Sequence, residues 1–145
     1  MDEKLYGHKK MIVWQMADKL DGLIQNVLGK IPRTEFKLRE QLDSATDSVG
    51  SNFVEGYYSN SLNEYIRFLR YSKRSLGEVQ QRMRRILRKK YISEGEYKEV
   101  DSNAGRTMYL FDRLIDSLER KRANTEMAKK ANRADRANRA TGEKG

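Results

Sequence analysis

Residues 61–91 read SLNEYIRFLRYSKRSLGEVQQRMRRILRKKY, and the spacing of their apolar residues decides the fold. Leu62, Tyr65, Leu69, Ser72, Leu76, Val79, Met83 and Ile86 follow one another at alternating intervals of three and four residues. That rhythm is the a/d seam of a helix packed at coiled-coil angles, and it predicts a helix over about 61–91. A strand would need alternation at every second residue, which the stretch lacks.

The same device marks both ends of this segment. Ser61 is followed three residues later by Glu64, and Ser93 by Glu96. In such a capping box each side chain satisfies the other residue's free backbone N–H at a helix start. The second box opens a further helix with the seam Tyr97, Val100, Ala104, Met108, Phe111, Leu114 or Ile115, and Leu118.

Upstream, Trp14, Ala17, Leu20 or Asp21, Ile24, and Val27 or Leu28 trace a first helix that Gly29 and Pro32 end. A second helix carries Leu38, Leu42, Ala45, Val49 and Phe53 on one face. It is expected to stop at Gly56 in a left-handed cap, with Asn52, Glu55 and Gly56 forming the turn into the third helix. Four long amphipathic helices joined by short connections predict an all-α, antiparallel up-down-up-down four-helix bundle, because short connections force antiparallel neighbours. After about residue 122 the pattern changes: beyond Met127 nothing larger than Ala is available for a core, and ANRA recurs at 131–134 and 137–140. The expected division is therefore a bundle over 1–122 and a basic tail over 123–145, mobile when unbound because it offers no apolar surface to bury.

Composition agrees with one helical core. Of the 145 residues 37% are hydrophobic and 35% charged, with a single Pro, which suits helices with charged outer faces. Absence of Cys excludes disulfides and thiolate metal sites. The opening MDEKLYGHKK lacks an apolar run of signal-peptide length and no window is apolar enough to span a bilayer, so the expectation is a cytoplasmic protein.

Enzyme chemistry finds little footing. The single His, His8, has no spaced partner for a metal site or a nucleophile relay and reads as solvated surface near the N-terminus. Phosphate-cradling GxxxxGK[ST] and GxGxxG loops are absent. Asp112, Asp116 and Glu119 share one side of the fourth helix, but the Glu-x-x-His motif of di-metal bundles is missing, so they read as a solvated or ion-paired face. No catalytic residue, metal or cofactor is expected.

The basic residues are more informative. Arg67, Arg70, Lys73, Arg74, Arg82, Arg84, Arg85, Arg88, Lys89 and Lys90 stand on the third helix against Glu64 and Glu78, ten to two, net +8. With Leu62 at heptad position a, Arg67, Arg74 and Arg88 fall at f, Arg70 and Arg84 at b, and Arg85 at c, all pointing away from the seam. From Arg120 onward nine basic residues meet three acidic ones, net +6, so within a chain total of +9 the remainder carries −5. Like charges on one helix repel, and a segregated stripe costs stability unless something acidic neutralises it. The candidate ligand is nucleic acid, RNA or DNA, with these ten residues as its contacts; Tyr57, Tyr58, Tyr71 and Tyr91 lie near enough to stack on unpaired bases. The alternatives are a merely solvated face, or an interaction module whose basic helix docks on an acidic protein.

The run QLDSATDSVGSNFVEGYYSNSLNEYIRFLRYSKRSLGEV, residues 41–79, resembles the signature of a bacterial four-helix-bundle family. That family takes in the intervening-sequence proteins of large-subunit ribosomal RNA and the accessory variability determinants of diversity-generating retroelements. The matching segments are Gln41 to Ala45, the corner Asn52 to Gly56, the serine-rich turn Ser59 to Ser61, Glu64 to Leu69, and Ser75 to Glu78; Val54 and Arg74 depart from the usual small residues. The resemblance covers about residues 5 to 120. It implies a homopentameric barrel of bundles, a basic surface for RNA or DNA, no catalysis and, in the retroelement branch, a reverse transcriptase as partner. The corner motif is closer to the intervening-sequence branch, while the basic helix also suits the retroelement one.

Overall fold

The computed structural model describes residues 5–142. Residues 1–4 and 143–145 lie outside it, and with them the first part of the opening segment and the last three residues of the expected tail. A short 3-10 turn, Gly7–Lys10, leads into four helices: α1 (Ile12–Leu28), α2 (Phe36–Tyr57), α3 (Leu62–Arg88) and α4 (Glu94–Gly142). Each packs on its sequence neighbours and α1 closes against α4, so the antiparallel four-helix bundle expected from the periodicity is the observed architecture.

The seams meet at the centre. Leu69, Ser72, Leu76, Val79, Met83 and Ile86 of α3 are buried, as are Ala17, Leu20 and Ile24 of α1, Leu42, Val49 and Phe53 of α2, and Val100, Ala104 and Phe111 of α4. Phe53 and Phe111 meet edge-on with centroids 6.3 Å apart. Polar side chains enter this core where the backbone can take their protons. Thr46 Oγ1 donates to the Leu42 carbonyl (2.7 Å), Thr107 Oγ1 to that of Asn103 (2.8 Å), and Ser72 Oγ crosses from α3 to the Val49 carbonyl of α2 (2.9 Å).

The caps differ. At Ser93 the box is complete, since Glu96 N donates to Ser93 Oγ (3.1 Å) and Ser93 N donates to Glu96 Oε1 (3.2 Å). At Ser61 only half forms: Glu64 N donates to Ser61 Oγ, while the Glu64 carboxylate turns to Arg67. The α3 C-terminus ends in a Schellman pair, Tyr91 N to Ile86 O (3.3 Å) and Lys90 N to Leu87 O (2.9 Å), with Lys90 in the left-handed position at φ 64°.

The corner needs correcting. Asn52, Glu55 and Gly56 do not form the turn between the second and third helices; they lie in the last two turns of α2. Gly56 keeps a right-handed backbone and is buried, because α3 passes too close to admit a side chain. Asn52 donates its amide back to the Ser48 carbonyl (2.8 Å), and Glu55 is exposed. Ser59 makes the turn, its Oγ donating to the Gly56 carbonyl (2.7 Å).

His8 also departs from expectation. It is half-buried, its Nδ1 3.1 Å from the Tyr58 hydroxyl, its ring edge-on to Trp14 at 5.1 Å. At the other terminus α4 runs unbroken through residue 122. The change there is in burial: Leu118 still packs on the core, and 123–142 are exposed throughout.

Candidate nucleic-acid interface

Helix α3 owes its basic outer face to its heptad pattern, since the seam occupies one stripe and leaves b, c and f outward. The structure divides the ten candidate bases into two groups. Arg67 pairs with Glu64 (2.6 Å) and Arg82 with Glu78 (3.8 Å) along α3 itself. Arg70 reaches Glu119 and Lys73 reaches Asp112, both on α4. Lys89 holds Glu35 at the start of α2 (2.8 Å). Among the described residues Arg74, Arg84, Arg85, Arg88 and Lys90 make no ion pair, and all five are exposed.

This division has an electrostatic reason. The acidic side of α4 lies along the first half of α3, so Asp112 and Glu119 neutralise the bases facing them. The C-terminal end of α3 lies beyond Asp112 and Glu119, and of the acids in the first turn of α4 at that end Glu96 is taken by Lys30 and Glu94 makes no ion pair with α3 among the described residues. The α3 bases of that end, Arg85 and Arg88 in the last turn, also complement the negative end of the helix dipole, which favours cations there without fully discharging them.

Antiparallel packing adds a residue that the heptad reading of α3 alone does not reach. Lys37, in the first turn of α2, joins Gln41, Arg82, Arg85 and Lys89 in a polar surface notch around Glu35. The signal was the first-turn position of Lys37, which an antiparallel neighbour brings beside the last turn of α3. Hydrogen bonding from Lys89 is the main cause that holds the Glu35 carboxyl below its usual range, and Lys30 does the same for Glu96 at the other inter-helix pair of this end. Arg82 Nε is enclosed with no partner among the described residues.

The tyrosines separate as well. Tyr71 is half-covered, with the guanidinium of Arg67 5.8 Å and that of Arg74 5.6 Å from its ring centre. Tyr57 packs among Phe53, Tyr58 and Tyr65. Tyr65 is partly buried, and desolvation, followed by the neighbouring Tyr57, pushes its phenol up to about 12. Tyr58 is the exposed ring of this group, and Tyr91 is half-buried against the core. No group of three or more His, Asp or Glu residues suited to a metal ion occurs among the described residues, and no described helix is long and apolar enough to cross a membrane.

Comparison with known proteins bears on this surface. The family model described as 23S rRNA-intervening sequence protein matches residues 9–111. A crystal structure of a protein of unknown function from the S23 ribosomal protein family of Bacteroides thetaiotaomicron superposes with a TM-score of 0.68 at 19% identity, covering 72% of this chain and 98% of that one. At that identity the likeness concerns the fold. Among curated proteins none matches the sequence. The matched span takes in all of α1 to α3 and the first turns of α4, and stops short of the exposed end of α4.

Proposed function

Because the chain belongs to the 23S rRNA-intervening sequence protein family, we propose that it is a non-enzymatic, cytoplasmic nucleic-acid-binding accessory protein with RNA as its principal ligand. One observation carries the reading: Arg84, Arg85, Arg88 and Lys90 crowd one exposed end of α3 with no carboxylate bound to any of them among the described residues. Such a cluster repels itself until phosphates replace the missing acids, and the associated release of counterions supplies the affinity. Tyr71 beneath two guanidiniums offers a place for a base on the same helix.

The assembly proposed is a homopentameric barrel, as the resemblance implies. Ile12, Phe36 and Tyr109 are large apolar side chains left exposed on the single chain and available to it. Light scattering at micromolar concentration tests this, and a clean monomer overturns it. A reverse transcriptase is the partner in the retroelement version of the role, and co-purification of such an enzyme with the tagged protein distinguishes that version from a role confined to ribosomal RNA.

The test of ligand class is a salt titration. Binding of RNA and of single-stranded DNA, measured at several salt concentrations, is expected to weaken steeply, with log K falling by roughly 0.7 per tenfold rise in salt for each phosphate neutralised on a single strand. An absence of binding, or binding without a salt slope, rejects nucleic acid and favours the basic end as a dock for an acidic protein.

A further inference from the structure

The positive charge of this molecule sits at two opposite ends. Helix α3 ends where Lys89 meets Glu35 and Lys30 meets Glu96, and its unpaired bases Arg84, Arg85, Arg88 and Lys90 are at that end. Helix α4 runs the other way. It passes the start of α3, where Arg122 Nη1 donates to Asn63 Oδ1 (3.0 Å), and continues alone to Gly142. Twenty-seven residues of α3 place these ends about 40 Å apart, and the free part of α4 projects a further ~30 Å beyond.

The projecting arm has the chemistry of a second polyanion contact. Over 123–142 it carries Lys129, Lys130, Arg133, Arg136 and Arg139 against Glu126 and Asp135, net +3. At about 100° per residue, Arg122, Lys129, Arg133 and Arg136 fall within a sector of about 60° and form one stripe along the arm. Among the described residues Arg139 pairs with Asp135, and the other bases of the arm make no ion pair. Beyond Met127 the arm has no apolar side chain larger than Ala, so charge is what it offers.

Between the two ends the bases of α3 other than Arg74 are already matched by Glu64, Glu78, Asp112 and Glu119. The separation is several Debye lengths, each ~8 Å in physiological salt, so the two ends attract phosphates independently. We infer that each protomer carries two separate RNA-binding ends, the α3 terminus and the α4 arm, and that the protein bridges two RNA segments. This rests on the nucleic-acid reading above and adds the geometry of what is held.

The experiment uses full-length protein and two non-complementary RNAs, one immobilised and one fluorescent. The protein is expected to retain the fluorescent RNA on the support. Two variants keep chain length and helix propensity: R84Q/R88Q at one end, and K129Q/R133Q/R136Q on the arm. Each is expected to keep its helicity and oligomeric state and, in a stoichiometric titration with short RNA oligomers, to bind about half the number of RNAs per protomer that the unaltered protein binds, because one of the two ends of every protomer is lost. An unchanged number of RNAs per protomer in either variant overturns the inference, since the altered end would then hold none. Absence of any RNA binding by the unaltered protein overturns the nucleic-acid reading instead.

Discussion

Gly56 of α2 lies directly against Phe68 of α3: a Cβ built on Gly56 would stand 2.8 Å from the Phe68 Cβ and 3.3 Å from the Tyr65 carbonyl oxygen. Neither contact can be relieved by rotating a side-chain tip, so the helices themselves must part. In an ordinary helix interior Ala would be favoured over Gly by about 1 kcal/mol. Here overpacking reverses the sign, and Gly56→Ala is expected to destabilise the bundle by about 1–2 kcal/mol. Denaturant unfolding measures it; a more stable variant would mean that the two helices separate at no cost.

What the sequence showed of this region, and what it concealed, have one physical cause. Period and capping are local properties, and so the seam from Leu69 to Ile86 and the box at Ser93 and Glu96 were legible in one dimension. Close approach between helices is not local. Gly56 read as a left-handed stop because a glycine near a helix end usually is one, whereas its role is set by Phe68, twelve residues further on. An apolar count on α4 omits Thr107, which enters the core by donating to the Asn103 carbonyl, and Asn103, whose Oδ1 also accepts from Thr107 Oγ1 (3.2 Å). The charge reading met the same limit. Ten bases on α3 were visible, but Glu119 and Asp112, which neutralise two of them, come from another helix.

The Tyr65 hydroxyl is enclosed with no hydrogen-bond partner among the described residues, and burial has raised its pKa to about 12 from 10.0. A raised folded-state value means that the proton is held more tightly when folded. Its contribution is therefore complete below pH 10 and lost as pH rises towards 12. Tyr65→Phe removes a polar atom that gains nothing from its surroundings, so it is expected to be neutral or slightly stabilising near pH 7. It should also remove an alkaline loss on the order of 1–2 kcal/mol. Unfolding midpoints across pH 8 to 12 read both effects. A clear loss of stability at pH 7 would show that the hydroxyl does have a partner.

Lys90 holds a left-handed backbone, φ 64°, at the position of a Schellman motif where glycine is usual. Lys90→Gly is expected to stabilise the fold by roughly 0.5 kcal/mol, the relief of Cβ strain being partly offset by a more flexible unfolded chain. RNA affinity is expected to move the opposite way, because the same change deletes a base from the candidate interface. Thermal melting and a binding titration on one preparation decide it, and a variant that loses stability rejects the strain.

Residues 123–142 touch no part of the bundle core, so we propose that the arm is separable from the fold. Truncation after residue 122 is expected to leave the bundle folded and its assembly state unchanged. Circular dichroism and light scattering provide the readouts, and loss of the remaining helical signal or of the oligomer would make the arm part of the folding unit.

The division of α3 into matched and unmatched bases makes the sharpest test of where RNA sits. Arg70 and Lys73 are engaged by Glu119 and Asp112, whereas Arg84 and Arg88 have no acidic partner among the described residues. A phosphate must displace a carboxylate to reach the first pair and only water and counterions to reach the second. Arg84→Glu with Arg88→Glu is therefore expected to cut affinity and to lower the slope of log K against log salt by roughly 1.4, two single-strand contacts' worth. Arg70→Gln with Lys73→Gln should leave that slope within about 0.3 of wild type and cost stability by no more than about 1 kcal/mol, as exposed ion pairs do. Helicity is the folding control for both, since the b, e and f positions of these four residues leave the seam of Leu76, Val79, Met83 and Ile86 untouched. Equal loss of slope in the two double variants would place RNA along the whole of α3, with its salt bridges opening to admit it.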